Sequence, residues 1–393
     1  MDSSGIGNSK RDIITHFFRC GYQYKDILEV LRRYHDISIS MKTLHRFLKE
    51  YGLKRKCADV STSTILDKVR QEIQEVGENR GYRSIYQHLL EKGIQIPTRL
   101  VRATLKELDP SGVERRTKHR WKRRVYRTNG PNDVWHIDGN DKLKPFGFCI
   151  HGGIDGFSRK IIWLAVSDTN KNPFIIAHYY TSAVKTLCAV PKLIRGDRGT
   201  ENVNVCGIQR FLRRNHHDSW SGWNSFKYGK SVSNQRIEQW WSYLKRNTTQ
   251  SWIDYFKDLR DQGLYDDSNN IHVEALKFCY YGLIQLHLDQ VKHTWNHHKI
   301  RSTKCSESPS GRPNLMFFPP HNYNAIDCAF VFNADELELA ESMYSKKPRA
   351  IPCQNEFIEL SNILMEEQNL QHPRSREEAE HIYLYLVSII EML

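Results

Sequence analysis

The sequence predicts an α/β protein: a mixed sheet flanked by helices, preceded by two all-α units and followed by a helical tail. Three observations predict it. From Ser9 to Leu108 apolar residues recur at helical spacing. From Asp133 the period changes to short apolar runs, VWHID, FGFCIHGGID and IIWLAV, separated by turn residues. Beyond Pro319 and Pro320 helical patterning returns.

The first expected unit spans residues 1–57. Helices are predicted near Arg11–Arg19 and Tyr24–Tyr34, and a third opens at Ser40 as N-cap and closes at Gly52. Leu44, Phe47 and Leu48 form the inward stripe of the third, which turns Lys42, Thr43, His45, Arg46 and Lys49 outward, as a helix reading a major groove requires. A plain three-helix bundle with a solvated basic face is the alternative. A second trihelical unit is expected over 58–110, with GYRSIYQHLLEKG ended by Gly93 and a further helix starting at Pro97 whose exposed side carries Arg99, Arg102 and Lys106. Residues 111–130 read as a basic linker. Its cations, among them Arg120, Lys122, Arg123 and Arg124, suit phosphate neutralisation and nuclear targeting equally.

Within 131–300 the three apolar runs suit an antiparallel meander. A helix from about Pro173 to Cys188, a fourth strand in PKLIRGD, a helix near Val205–Asn215 and a long helix from about Asn234 to Arg246 follow. Three strands, then helix, strand and helix describe a mixed sandwich of the RNase H type. Residues 301–393 read as an acidic, mainly helical extension.

Charge and composition narrow the partners. The chain has 393 residues and a net charge of +13. Residues 1–130 alone carry +13 and residues 323–393 carry −8, so the positive field sits at the front and points to a polyanion, here double-stranded DNA. The nine cysteines include no CxxC pair, which argues for reduced thiols and against zinc. No apolar run approaches the ~20 residues of a membrane span, and the start lacks an apolar secretory block, so no membrane partner is expected.

Three acids stand where a buried carboxylate is costly: Asp138 within a strand in WHIDGND, Asp197 at a strand end in RGDRGTEN, and Glu238 within a helix in SNQRIEQWW. Converging at one sheet edge they would need cations between them. Two magnesium ions, with manganese as a substitute, suit hard oxygen donors and an in-line phosphoryl displacement.

Over roughly residues 130–300 these motifs resemble the DDE-type integrase and transposase superfamily, and GYRSIYQHLLEKGI looks like the helix-turn-helix preceding the core in insertion-sequence transposases. Trp135 precedes Asp138, GIDGFSRK offers the architectural Asp155, Ser158 and Arg159, and DRGTEN follows the second acid. The resemblance implies that Asp138, Asp197 and Glu238 are both the catalytic residues and the metal ligands. It also implies that Asn234, Gln235 and Lys245 contact DNA, and that the protein works as a homo-oligomer, in the nucleus of a eukaryote or otherwise in the cytoplasm. Two departures stand out. Arg198 occupies a position where Asn is common, and 40 residues separate Asp197 from Glu238, more than is usual. The extra length falls in SWSGWNSFKYGKSVSN, whose Trp220, Trp223 and Phe226 either stack unpaired bases or cover the core.

Other signals carry less. YGKS lacks the leading glycine of a nucleotide-binding loop, with Asn224 in its place; His216, His217 and Asp218 lack a spaced second ligand pair; and Arg301 and Arg312 read as phosphate contacts. The leading expectation is DNA end cleavage and strand transfer. A catalytically silent DNA-binding regulator of the same fold and an RNase H-like nuclease without strand transfer are the alternatives.

Overall fold

In the computed structural model the chain divides into two compact units, Met1–Arg124 and Val125–Leu393. The structure describes residues 9–55, 62–76, 81–117, 127–229, 234–302 and 309–392. Among them, no helix is long and apolar enough to cross a membrane.

The first unit opens with α1 (Lys10–Arg19), α2 (Tyr24–Tyr34) and α3 (Met41–Glu50). Ser9 caps α1 by accepting the Asp12 N–H at 3.2 Å, and Ser40 caps α3 by accepting that of Thr43 at 3.1 Å. Gly21 and Gly52 leave α1 and α3 with φ of 75° and 69°, the left-handed exit that costs a glycine little. Ile14, Phe17, Phe18, Ile27, Leu31, Leu44 and Leu48 fill the centre, whereas Phe47 is only half-buried.

A second trio, α4 (Thr62–Val76), α5 (Tyr82–Glu91) and α6 (Thr98–Leu108), closes over Ile65, Val69, Ile85, Leu89, Val101 and Leu105. Glu72 is 3% exposed, yet His88 and Lys92 pair with it at 3.2 and 2.6 Å, so its burial is answered. The two trios are stitched together by Gln87, whose Nε2 donates to the Cys20 carbonyl at 3.3 Å. The supposed linker begins as helix α7 (Pro110–Thr117), because Asp109 accepts the Gly112 N–H at 2.8 Å and proline suits the first helical position.

The second unit is built on β1 (Val134–Asn140), β2 (Cys149–Asp155), β3 (Ile161–Ser167), β4 (Leu193–Gly196) and β5 (Phe226–Tyr228), in the order β3-β2-β1-β4-β5. β1 pairs antiparallel with β2 and parallel with β4, and β5 adds parallel to β4. The sheet is mixed and flanked by helices, consistent with an RNase H-like core. β5 was not expected from sequence. It is three residues in a glycine- and serine-rich loop, and pairing with β4 rather than any pattern of its own fixes it.

Alternation along β1 creates two faces. Trp135 and Ile137 enter a core with α8 (Pro173–Leu187) and α9 (Val203–Leu212). The opposite face carries Ile150, Leu164 and Val166 beneath α10 (Gln235–Leu244), α11 (Gln250–Asp261) and α12 (Asn270–His297). One π-helical turn, Lys245–Thr249, joins α10 to α11. α12 also seals the outer edge of β3: Asn296 bonds the Ile161 N–H and carbonyl at 2.8 and 3.0 Å, and Gln285 accepts the Val166 N–H at 3.0 Å.

Residues after 300 do not form an appendage. After α13 (Pro313–Phe317), α14 (Ala334–Tyr344) lays Leu337 and Ala340 on the α8/α9 side. α15 (Asn355–Glu367) and α16 (Arg376–Ile390) place Leu364, Met365, Ile382, Tyr383 and Leu386 in the same core as Ile150 and Leu164. The tail's acidic count hid an apolar face that packs on the sheet's helices.

Candidate active site

The parallel pairing of β1 with β4 matches Val134 to Leu193 and His136 to Arg195. Continued by two residues, that register points Asp138 of β1 toward Asp197, just past the end of β4, while β1 itself runs on to Asn140 against β2. Asp138 projects to the α10 side, where the Trp241 indole N–H donates to its Oδ2 at 2.7 Å. Burial pushes the Asp138 carboxyl up to about 7, and the charges of Glu238 and Asp197 push the same way against the opposing indole bond. Asp138 therefore lies within the electrostatic reach of both other acids singled out in the sequence.

Asp197 follows β4 directly, and Asn202 Nδ2 donates to its Oδ1 at 3.0 Å. The same amide lies 3.3 Å from Glu201 Oε1. Burial raises the Glu201 carboxyl above its ordinary range, as do the charge of Asp197 and a hydrogen bond shared with it. Glu201 thus brings a fourth carboxylate to the cluster, which sequence reasoning missed. Its only signal was a place four residues after Asp197, and a short helical turn, Thr200–Asn202, folds it back.

Glu238 sits half-buried in the first turn of α10. Asn234, just before that helix, ties it to β1: the Asn234 carbonyl accepts the His136 Nδ1–H at 2.7 Å, while its Nδ2 donates to the Ile137 carbonyl at 2.8 Å. Full burial holds the His136 imidazole down to about 3, so it is neutral and serves as a donor. Asn234 is 2% exposed with both ends of its amide engaged, which corrects its reading as a DNA contact. Gln235 is half-buried and Lys245 exposed.

Asp155 is fully buried. It accepts the Asn132 N–H at 2.8 Å and both the Ser158 N–H and hydroxyl at 2.7 Å, an architectural role. Arg312 is also internal: its guanidinium donates to the His297 carbonyl, against its reading as a phosphate contact. Asp218 pairs with buried Arg213 at 2.6 Å and is not part of a metal corner. The loop aromatics split. Phe226 is core, Trp220 is half-buried with Lys227 3.8 Å over its ring, and Trp223 is 76% exposed with Arg210 at 3.5 Å.

In the first unit Lys42, His45, Arg46 and Lys49 of α3 are exposed; Thr43 is half-buried, with its hydroxyl 2.9 Å from Ser40 Oγ. Arg99, Arg102 and Lys106 of α6 are exposed as well. Arg120, Lys122, Arg123 and Arg124 lie outside the described residues.

The donor set beside β4 is all oxygen; Glu238 and Asp197 raise the proton affinity of Asp138, and Asp197 raises that of Glu201. Such a set fits a hard divalent cation, whose charge would relieve the repulsion. Among the described residues, Asp138, Asp197, Glu238 and Glu201 do not bring three carboxylate oxygens within 4.8 Å of one another, so a shared cation would have to draw them closer. Residues 125–312 match the family model described as integrase core domain. No curated protein matches the chain.

Proposed function

We propose, because residues 125–312 match the integrase core domain model, which supports a place in the DDE integrase and transposase superfamily, that this protein cuts DNA ends and joins them to target DNA through Asp138, Asp197 and Glu238. The observation that carries the reading is the Asp138 carboxyl, pushed up to about 7 in a site where two more acids add to its burden. A structural acid is normally paired with a cation side chain or bonded to several N–H groups, as Asp155 is. Asp138 accepts the Trp241 indole N–H and a Gly139 backbone bond, but it also faces two other acids.

Two magnesium ions, or manganese in their place, would supply charge neutralisation at the phosphate and a lowered proton affinity for the attacking hydroxyl. The chain's own part is to hold the ligands. The parallel pairing of β1 with β4 aims Asp138 and Asp197 toward one another, Asn234 anchors the helix of Glu238 to β1, and Asn202 orients Asp197. The exposed cations of α3 and α6 would grip double-stranded DNA by its phosphates, with Lys245 and Gln235 near the chemistry. Handling two DNA ends suits a homo-oligomer, and such an enzyme would work in the nucleus of a eukaryotic host, or in the cytoplasm otherwise.

The test incubates the full chain with magnesium or manganese and oligonucleotides from candidate element ends. Wild type is expected to give nicked and joined products, and Asp138→Asn to lose both by about a thousandfold, in line with losing several kcal/mol of transition-state stabilisation. Equal inertness of both proteins would point to a silent DNA-binding role. Nicks without joined strands would point to a nuclease.

A further inference from the structure

We propose that Trp241 is a positioning residue for metal binding: its indole N–H fixes one oxygen of Asp138 so that the other is presented to a divalent cation. The proposal rests on Asp138 being a metal ligand, as argued above.

Three features of the structure combine here. Trp241 is 7% exposed, and its Nε1 lies 2.7 Å from Asp138 Oδ2. It sits three residues after Glu238 on α10, so the helix that bears one acid also carries the clamp on another. Gly152 stands opposite Asp138 across the β1–β2 ladder, and a Cβ there would fall 2.9 Å from Trp241 Cη2. The strand lacks a side chain where the indole passes.

Chemistry favours this residue type for the task. An indole N–H only donates, so it cannot turn to accept from a protonated Asp138, and it holds the ionised form that a cation needs. The ring is gripped by its surroundings: Trp240 packs against it with centroids 5.5 Å apart, and both belong to the core that also takes in Ile237 and Leu244. A rigid donor in a poorly solvated site fixes direction at little entropic cost. The bland alternative is a core aromatic whose N–H takes the nearest acceptor, which would leave metal affinity unchanged on its loss.

The experiment measures magnesium binding to the full chain by calorimetry, without DNA, for wild type, Trp241→Phe, Asp138→Asn and the double variant. Phe keeps the packing and deletes the donor. Trp241→Phe is expected to bind magnesium about tenfold more weakly, as loss of a ligand's supporting hydrogen bond commonly does, and to add nothing in the Asp138→Asn background. Equal affinity in wild type and Trp241→Phe overturns the role of Trp241 and leaves the metal site standing. A wild type that takes up no cation overturns both.

Should Trp241→Phe fail to fold, indole ¹H–¹⁵N resonances decide. Of the nine tryptophans, one indole signal should move when magnesium is added and move again in Asp138→Asn. No signal answering to both overturns the proposal.

Discussion

The two units handle charge in opposite ways. In the first, ionisable residues of α3 and α6 stand in water above small apolar cores, and the most buried acid among the described residues, Glu72, has two cationic partners. In the second, acids are drawn together at the end of a sheet and strain one another's ionisation. Exposed cations are inexpensive to keep and act at long range, screened by salt. Crowded carboxylates are a standing destabilisation, tolerated where a site needs them.

If this contrast is sound, each half should break separately. The largest effect belongs to the acids: Asp138→Asn should abolish product formation while DNA affinity and its salt dependence stay those of wild type, as read by titration at several salt concentrations. Next comes the front. Replacing Lys42, Arg46 and Lys49 together by Ala should weaken DNA binding about tenfold and flatten log K against log salt by about 0.9 for each phosphate no longer neutralised. An unchanged slope would show that α3 does not face the duplex.

A smaller effect sharpens the cost of crowding. Without cations, the Asp138 carboxyl keeps its proton up to about pH 7 in the fold, but only to its ordinary 3.8 once unfolded. The native state then binds more protons across that window, so this group's contribution to stability falls as pH rises from about 4 to about 7. Asp138→Asn removes the penalty. It should raise cation-free stability by about 2 kcal/mol at pH 8, allowing for partial exposure, and by much less at pH 4, with the difference read from denaturant unfolding. A gain of the same size at both pH values would mean that the change acts through packing. The smallest effect is confined to the front: Ser40→Ala removes the cap of α3 and should cost about 1 kcal/mol in the unfolding of the first unit, with no change in metal binding.

What could be read from the sequence follows the same division. Caps, apolar stripes and glycine exits are local, so α1 to α3 were visible within a residue or two. β1 to β4 were visible because each is an apolar run between turn residues, and Asp138, Asp197 and Glu238 because an acid stands out there. β5 was hidden because only its neighbour makes it a strand. Trp241 looked like an ordinary helix residue and Asn234 like a DNA contact, since their partners Asp138, His136 and Ile137 lie about a hundred residues earlier. Arg312 looked like a surface cation because the carbonyl it serves is brought near it by the Ile300–Gly311 bridge. Local grammar shows which groups are unusual; the long-range contacts decide which of them are held in place.

The position of α16 bears on how the protein is made. Ile382, Tyr383 and Leu386 press into the cluster that contains Ile150 and Leu164 of the early strands. During synthesis those strands emerge long before their cover, and must wait with oily surface open while the intervening chain is translated. The front helices face no such delay and can fold as they appear. A ribosome that stops short of α16 would therefore release a chain with a folded front and an unfinished second unit, prone to aggregate.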